Sequence, residues 1–196
     1  MMKKIIAFVV LLTCSSFLSG CDGKEMELNR LGMYIKPSAF SDETLEVLKL
    51  FEDEIHFFDI QLDDTAKSFA ISIWQYQDDQ WNEIGSSSGQ SEFLGNRIAI
   101  RFDETAYEIY HMDENGHSSI KSPALDLKFE DTMAKISWRV DQEEILEMNK
   151  EKALFVKVGT NKSEVSTSII STDFREVECD TGIAITLTIF DKELTD

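Results

Sequence analysis

Residues 68–85 read SFAISIWQYQDDQWNEIG and hold the clearest strand–turn–strand pattern of the chain. Phe69, Ile71 and Ile73 recur at every second position, which is typical of a β-strand with one buried face. Asp78 and Asp79 then supply a two-residue turn, because aspartate tolerates the backbone angles that a tight hairpin requires. The stretch therefore predicts an antiparallel β-hairpin.

Similar short segments continue along most of the chain, and only 2 prolines occur in its 196 residues. Many short strands at close spacing favour two packed antiparallel sheets over an alternating α/β fold. We therefore predict an all-β fold, mainly an antiparallel β-sandwich of about ten strands with one or two short helices. The predicted strands are residues 55–62, 68–77, 81–85, 97–103, 106–112, 125–129, 134–140, 154–158, 165–171 and 183–190.

Two short helices are predicted from capping signals. Ser41 can cap a helix in which Leu45, Leu48 and Phe51 recur at helical spacing. Asp141 begins a capping-box pattern, which predicts a second helix over residues 142–150. Residues 21–40 are weakly patterned and are interpreted as a tether, and residues 41–196 as a single β-sandwich domain with a short N-terminal helix.

The charge of the chain excludes two classes of partner. The 37 acidic and 19 basic side chains give a formal net charge of −18. A chain of this charge repels phosphates, so we expect no nucleic-acid partner. A polybasic patch that adheres to anionic lipid is excluded for the same reason.

The first 21 residues indicate export. Lys3 and Lys4 precede an apolar run over residues 5–12, which is too short to span a membrane and suits the core of a signal peptide. The run ends in Leu18-Ser19-Gly20-Cys21, which resembles the lipobox of bacterial lipoproteins. A secretory signal that contains a cysteine by chance is the alternative.

The resemblance to lipoproteins implies a location and an anchor. Residues 1–20 would be a signal peptide, and Cys21 would become the lipid-modified N-terminus of the mature chain. Two acyl chains suffice for stable anchoring. We therefore expect a protein held in the lipid bilayer of the cell membrane through Cys21, with its domain outside the cytoplasm. No functional family is indicated for the domain itself.

The sequence gives no coherent set of catalytic or metal-binding residues, and we expect no enzyme, cofactor or metal site. Residues 85–89, GSSSG, match the nucleophile motif of hydrolases, but no helix is predicted to follow them. His111 and His117 flank a predicted hairpin turn, and two of three loop lengths place them on opposite sheet faces, one of them by pairing Met112 with His117. Cys179 is a lone thiol in the mature chain and is interpreted as a small buried hydrophobe.

The candidate ligand-binding residues are Trp74, Tyr76 and Trp81. With a two-residue turn at residues 78–79, Tyr76 pairs with Trp81, and all three aromatic side chains share one face of the hairpin. In the same register Trp74 pairs with Glu83, and Ile73 with Ile84. An exposed strip of this kind resembles the stacking platform of a carbohydrate-binding module and would also suit a protein partner. The alternative is that the predicted helix with Leu45, Leu48 and Phe51 covers the strip.

These observations favour a lipid-anchored, extracytoplasmic β-sandwich that serves as a non-catalytic binding module. Its partner would be an unknown envelope protein or another exported component. A glycan-binding module that uses the aromatic strip is the alternative function. An enzyme without a recognisable motif is a third hypothesis, and it would need carboxylates from separate loops to meet in one pocket.

Overall fold

The computed structural model describes residues 32–51, 54–103, 105–162 and 173–194. Cys21, the predicted signal peptide and the predicted strand over residues 165–171 lie outside these ranges. Within them the chain forms eleven strands and one α-helix. The elements are β1 Tyr34–Pro37, α1 Asp42–Leu48, β2 Glu54–Gln61, β3 Ser68–Gln77, β4 Gln80–Gln90, β5 Arg97–Phe102, β6 Tyr107–Asp113, β7 Gly116–Lys121, β8 Ala134–Arg139, β9 Glu144–Ile145, β10 Lys152–Thr160 and β11 Thr181–Phe190.

The strands form two antiparallel sheets. Sheet A has the order β7-β6-β5-β2-β1-β9, and sheet B has the order β4-β3-β11-β10-β8. Single 3-10 turns at Ser91–Phe93, Phe129–Asp131 and Phe174–Glu176 occur between strands. The predicted all-β, sandwich-like fold with antiparallel sheets is confirmed.

The main core lies between the two sheets and follows from the alternation of apolar residues. Phe69, Ile71 and Ile73 of β3 are buried beside Ile185 and Leu187 of β11. Buried side chains from sheet A complete this core, among them Phe58, Ile60, Ile98, Ile100 and Ile109. Burial of apolar area at about 25 cal/mol per Å² is the dominant stabilising contribution in such a fold.

Sheet B is apolar on its outer face as well. In β11, all but two of the ten residues are buried, so both faces of this central strand are covered. Val156, Val158 and Ala184 point away from sheet A and pack against Phe174 and Val177. A second, smaller core therefore lies on the outer side of sheet B.

The helix α1 begins as the sequence predicts. The Ser41 side chain accepts a hydrogen bond from the backbone N–H of Thr44 at 3.3 Å, and Asp42 and Glu43 occupy the first turn. None of the helix residues is buried, however. The helical spacing of Leu45 and Leu48 thus predicts the helix correctly. It does not predict which part of the protein the apolar face of the helix contacts.

Three predictions about local structure are wrong. Residues 142–150 form no helix, because Glu144 and Ile145 pair with β1 at the edge of sheet A. Residues 125–128 form no strand, although their alternation does serve to bury Leu127. Strand β1 lies inside the predicted tether, so sheet A begins before residue 41, and its four residues are too few to show a clear alternation.

Among the described residues, no helix has both the length and the hydropathy that crossing a membrane requires.

Candidate functional site

The predicted aromatic hairpin forms, and it brings the three candidate residues together. Tyr76 pairs with Trp81 and Trp74 with Glu83, as expected, around the turn at residues 78–79. The rings of Tyr76 and Trp81 are 5.5 Å apart in an edge-to-face arrangement. Ile73 pairs with Gly85 instead of Ile84, because a β-bulge inserts one extra residue into β4.

The aromatic face is covered by the 3-10 turn that precedes β11. Phe174 is buried, and its ring lies 4.8 Å from the ring of Trp81, edge to face, and 6.2 Å from that of Trp74. The turn thus packs against part of the strip, while Trp74, Tyr76 and Trp81 themselves are half-buried. The expected cover, helix α1, contributes nothing to this cluster.

A network of polar and charged side chains holds the Trp74 ring beside the 3-10 turn. The Trp74 indole N–H donates to Glu151 Oε1 at 3.1 Å and to Thr186 Oγ1 at 3.2 Å. Arg175 forms an ion pair with Glu151 at 2.6 Å, and its guanidinium lies 4.1 Å from the Trp74 ring centroid. Such a cation–π contact occupies the ring face that a sugar would need for stacking.

Trp81 lies across a glycine of the neighbouring strand. A Cβ atom at Gly182 would be only 2.7 Å from Trp81 Cη2, so the indole fits here because β11 has no side chain at this position. The indole nitrogen is buried and has no hydrogen-bond partner among the described residues. Trp81 is thus a half-buried residue that packs against the small core with its indole nitrogen inward.

Cys179 belongs to the same small core. It is a free, buried thiol, and burial raises its pKa to about 12. Because the thiolate is the reactive species, a thiol with this pKa is inert at neutral pH. The interpretation of Cys179 as a small buried hydrophobe is confirmed.

The histidines of the β6–β7 hairpin do not form a joint site. Met112 pairs with His117 and His111 with Ser118, so the two histidines lie on opposite faces, as predicted. His111 is buried 5.5 Å from the ring of Phe69, and burial lowers its pKa. Within the described ranges, no group of three or more His, Cys, Asp or Glu side chains could hold a metal ion.

An ionic cluster that sequence reasoning missed connects the two sheets. Lys157 Nζ of β10 lies 3.1 Å from Glu54 Oε2 of β2, and His56 Nε2 lies 3.1 Å from Glu54 Oε1. The ammonium group of Lys157 also lies 5.0 Å from the ring centroid of Phe102. The hydrogen bond from His56, with the contribution of Lys157, outweighs burial and lowers the pKa of Glu54 to about 2.

Helix α1 and the three residues that follow it carry the most conspicuous exposed apolar surface of the described residues. The exposed fractions are 41% for Leu45, 55% for Val47, 81% for Leu50 and 54% for Phe51. Large apolar patches are uncommon on monomeric soluble domains and often mark interaction surfaces.

A groove lies beside this helix. We call it the α1 groove; it has a volume of about 410 Å³, and its lining includes Phe40, Leu45, Leu48, Phe51 and residues 55–58 of β2. The size falls within the range of ligand pockets in proteins. Sequence reasoning considered the apolar face of α1 only as a candidate cover for the aromatic strip and gave no sign of this groove.

Comparisons with models of protein families, with curated proteins and with solved structures find no match to this chain. Functional inference for it rests on its residues and their geometry.

Proposed function

We propose that this chain is a lipid-anchored protein of the bacterial cell envelope and acts as a non-catalytic module that binds another envelope protein. The observation that carries the proposal is the exposed apolar surface of α1 beside its groove. Val47 and Phe51 are more than half exposed there. Transfer of such apolar side chains out of water is favourable, so a partner that covers this surface would gain binding free energy.

The anchor is supported by the sequence. Leu18-Ser19-Gly20-Cys21 resembles a lipobox and follows a basic segment and a short apolar core. Lipid modification of Cys21 would hold the domain at the outer side of the cytoplasmic membrane. The module would then meet partners in the same envelope compartment.

A protein partner is favoured over a glycan. The rings that would stack on a sugar, Trp74 and Trp81, are packed against Phe174 and Arg175. This packing leaves the three aromatic rings only partly accessible, which argues against the glycan-binding alternative. The α1 groove, in contrast, offers aliphatic and aromatic side chains of the type that fill protein interfaces.

The proposed anchor predicts where the protein is found in fractionated cells. Cys21→Ser removes the thiol that would carry the lipid, so this variant should move from the membrane fraction to the soluble fraction or the medium. Immunoblotting of the fractions measures the shift, and we expect almost complete relocation, because both acyl chains would be attached through Cys21.

Cys14→Ser is the matched control, since Cys14 lies within the predicted signal peptide and is not the lipobox cysteine. It should leave the wild-type distribution unchanged. A Cys21→Ser chain that stays in the membrane fraction would contradict the anchor. Release of the wild-type chain into the medium would instead favour the secretory alternative.

A further inference from the structure

Strand β1 pairs with only half of β2. The last pair in their ladder joins Pro37 to Phe58, and Ser38 N–H donates one further hydrogen bond to Phe57 C=O at 2.9 Å. The chain then leaves the sheet to form α1. In the part of the chain that the structure describes, residues 54–57 pair with β5 on one side and with no strand on the other.

The free edge of β2 faces the α1 groove. Ile60 N–H donates to Asn96 C=O on the β5 side, whereas Phe57 C=O accepts from Ser38 on the β1 side. Backbone groups of successive residues alternate between the two sides of a strand. The N–H and C=O groups of Ile55 therefore point the same way as those of Phe57, and both residues line the groove.

The walls of the groove match the side chains of an extended segment. Leu45, Leu48 and Phe51 give an apolar lining to the same groove that residues 55–57 of β2 line. Side chains of an added strand point alternately to its two faces, so every second residue could pack against this lining.

The charged residues that line the groove are both basic. Lys49 and Arg139 contribute to the lining, and no described acidic residue does. Neither cation forms an ion pair with another described residue. Two cations without an acidic partner among the described residues, in a chain of net charge −18, make this groove complementary to an anion.

We propose that the α1 groove binds an extended apolar segment of a partner protein, which adds as a strand to the free edge of β2 and presents a carboxylate to Lys49 and Arg139. This inference rests on the proposed function and names the chemistry of its partner. Strand addition uses backbone hydrogen bonds for affinity and side-chain pockets for specificity. A carboxylate matches the planar fork of arginine donors.

Two other occupants explain the groove less well. A fatty acid would satisfy the apolar walls and the cations but would leave the backbone groups of Ile55 without partners. A second copy of this chain would bring another −18 charge to the surface. Both occupants are outcomes of the test.

In the test, the purified full chain serves as the bait. It selects binders from a displayed library of random hexapeptides that have free C-termini. We expect enrichment of sequences with apolar residues at alternating positions. A selected peptide, labelled with fluorescein, should bind with a saturable rise in polarisation. Arg139→Gln should weaken its binding about tenfold, because the charge-assisted hydrogen bonds to the carboxylate are lost. Leu45→Asp should reduce enrichment to background.

The controls separate the groove from the general charge of the chain. Lys192→Gln removes a cation outside the groove lining and should leave peptide affinity unchanged; thermal unfolding checks that every variant folds. No enrichment, or affinities unaffected by both groove variants, would overturn the inference. So would binding of oleate without peptide binding, or a dimer that Leu45→Asp dissociates. Failure of this test would not contradict the lipid anchor, because fractionation tests the anchor separately.

Discussion

Replacing Phe174 by alanine is expected to lower the free energy of unfolding by about 3–4 kcal/mol, because large-to-small changes in a packed core lose both buried area and contacts. Phe174 is 2% exposed and is the ring that covers Trp74 and Trp81. The same change should increase acrylamide quenching of tryptophan fluorescence, since both indoles lose their cover. Urea unfolding and quenching of the purified chain measure the two effects.

Phe93→Ala is the matched control for this variant. Phe93 is 66% exposed, so its loss should change the unfolding free energy by no more than about 0.5 kcal/mol. Quenching should stay at the wild-type level. If Phe174→Ala were as stable as Phe93→Ala, the outer layer of sheet B would not be a core.

Replacing Glu54 by glutamine is expected to destabilise the chain by about 2–3 kcal/mol at pH 7, because it leaves Lys157 without its ionic partner between the sheets. The effect depends on pH. The pKa of Glu54 in the folded state is about 2, below its ordinary value of 4.5. A lowered carboxyl pKa stabilises the fold above pH 4.5, and this contribution disappears as the pH falls toward 2.

Urea unfolding at pH 7 and at pH 2.5 tests this expectation. The difference between the wild-type chain and Glu54→Gln should be clear at pH 7 and should shrink to a minor part of that value at pH 2.5, where the folded-state carboxyl begins to protonate. Glu46→Gln is the control, since Glu46 is an exposed residue of α1. A constant difference between Glu54→Gln and wild type at the two pH values would contradict the role of the Glu54 charge.

Much of the fold could be predicted because it depends on local patterns. The register of the aromatic hairpin follows from the turn residues Asp78 and Asp79, whose positive φ angles of 54° and 60° suit a two-residue loop. The inward face of β3 follows from its alternation. The bulge opposite Ile73 could not be predicted, since one inserted residue leaves no distinct sequence signal.

The cover of the aromatic face depends on tertiary contacts that the sequence does not display. Phe174, Val177 and Cys179 have no helical or strand period, yet all three are buried over sheet B. Helix α1 shows the opposite case, because an apolar spacing such as that of Leu45 and Leu48 identifies a face without its partner. Local periodicity therefore predicted most of the elements, whereas the candidate cover that it offered, helix α1, is not the segment that packs on the aromatic face.

The α1 groove illustrates the same limit for a candidate site. Lys49 and Arg139 are far apart in the sequence, and only the fold brings them to one groove. The free edge of β2 arises because β1 ends at Pro37, and the sequence places that residue in an apparent tether. A short strand and two distant cations give no motif that sequence reasoning could recognise.

The central claim is that the anchored domain binds another envelope protein through the surface of α1. Photo-crosslinking in intact cells tests it most directly, with a photoreactive amino acid at Val47 or, as the control, at Met133. Both positions are exposed, at 55% and 81%, but Met133 lies outside α1 and its groove. We expect a discrete crosslinked protein adduct from position 47 and none from position 133. No adduct from position 47, or the same adduct from both positions, would contradict it.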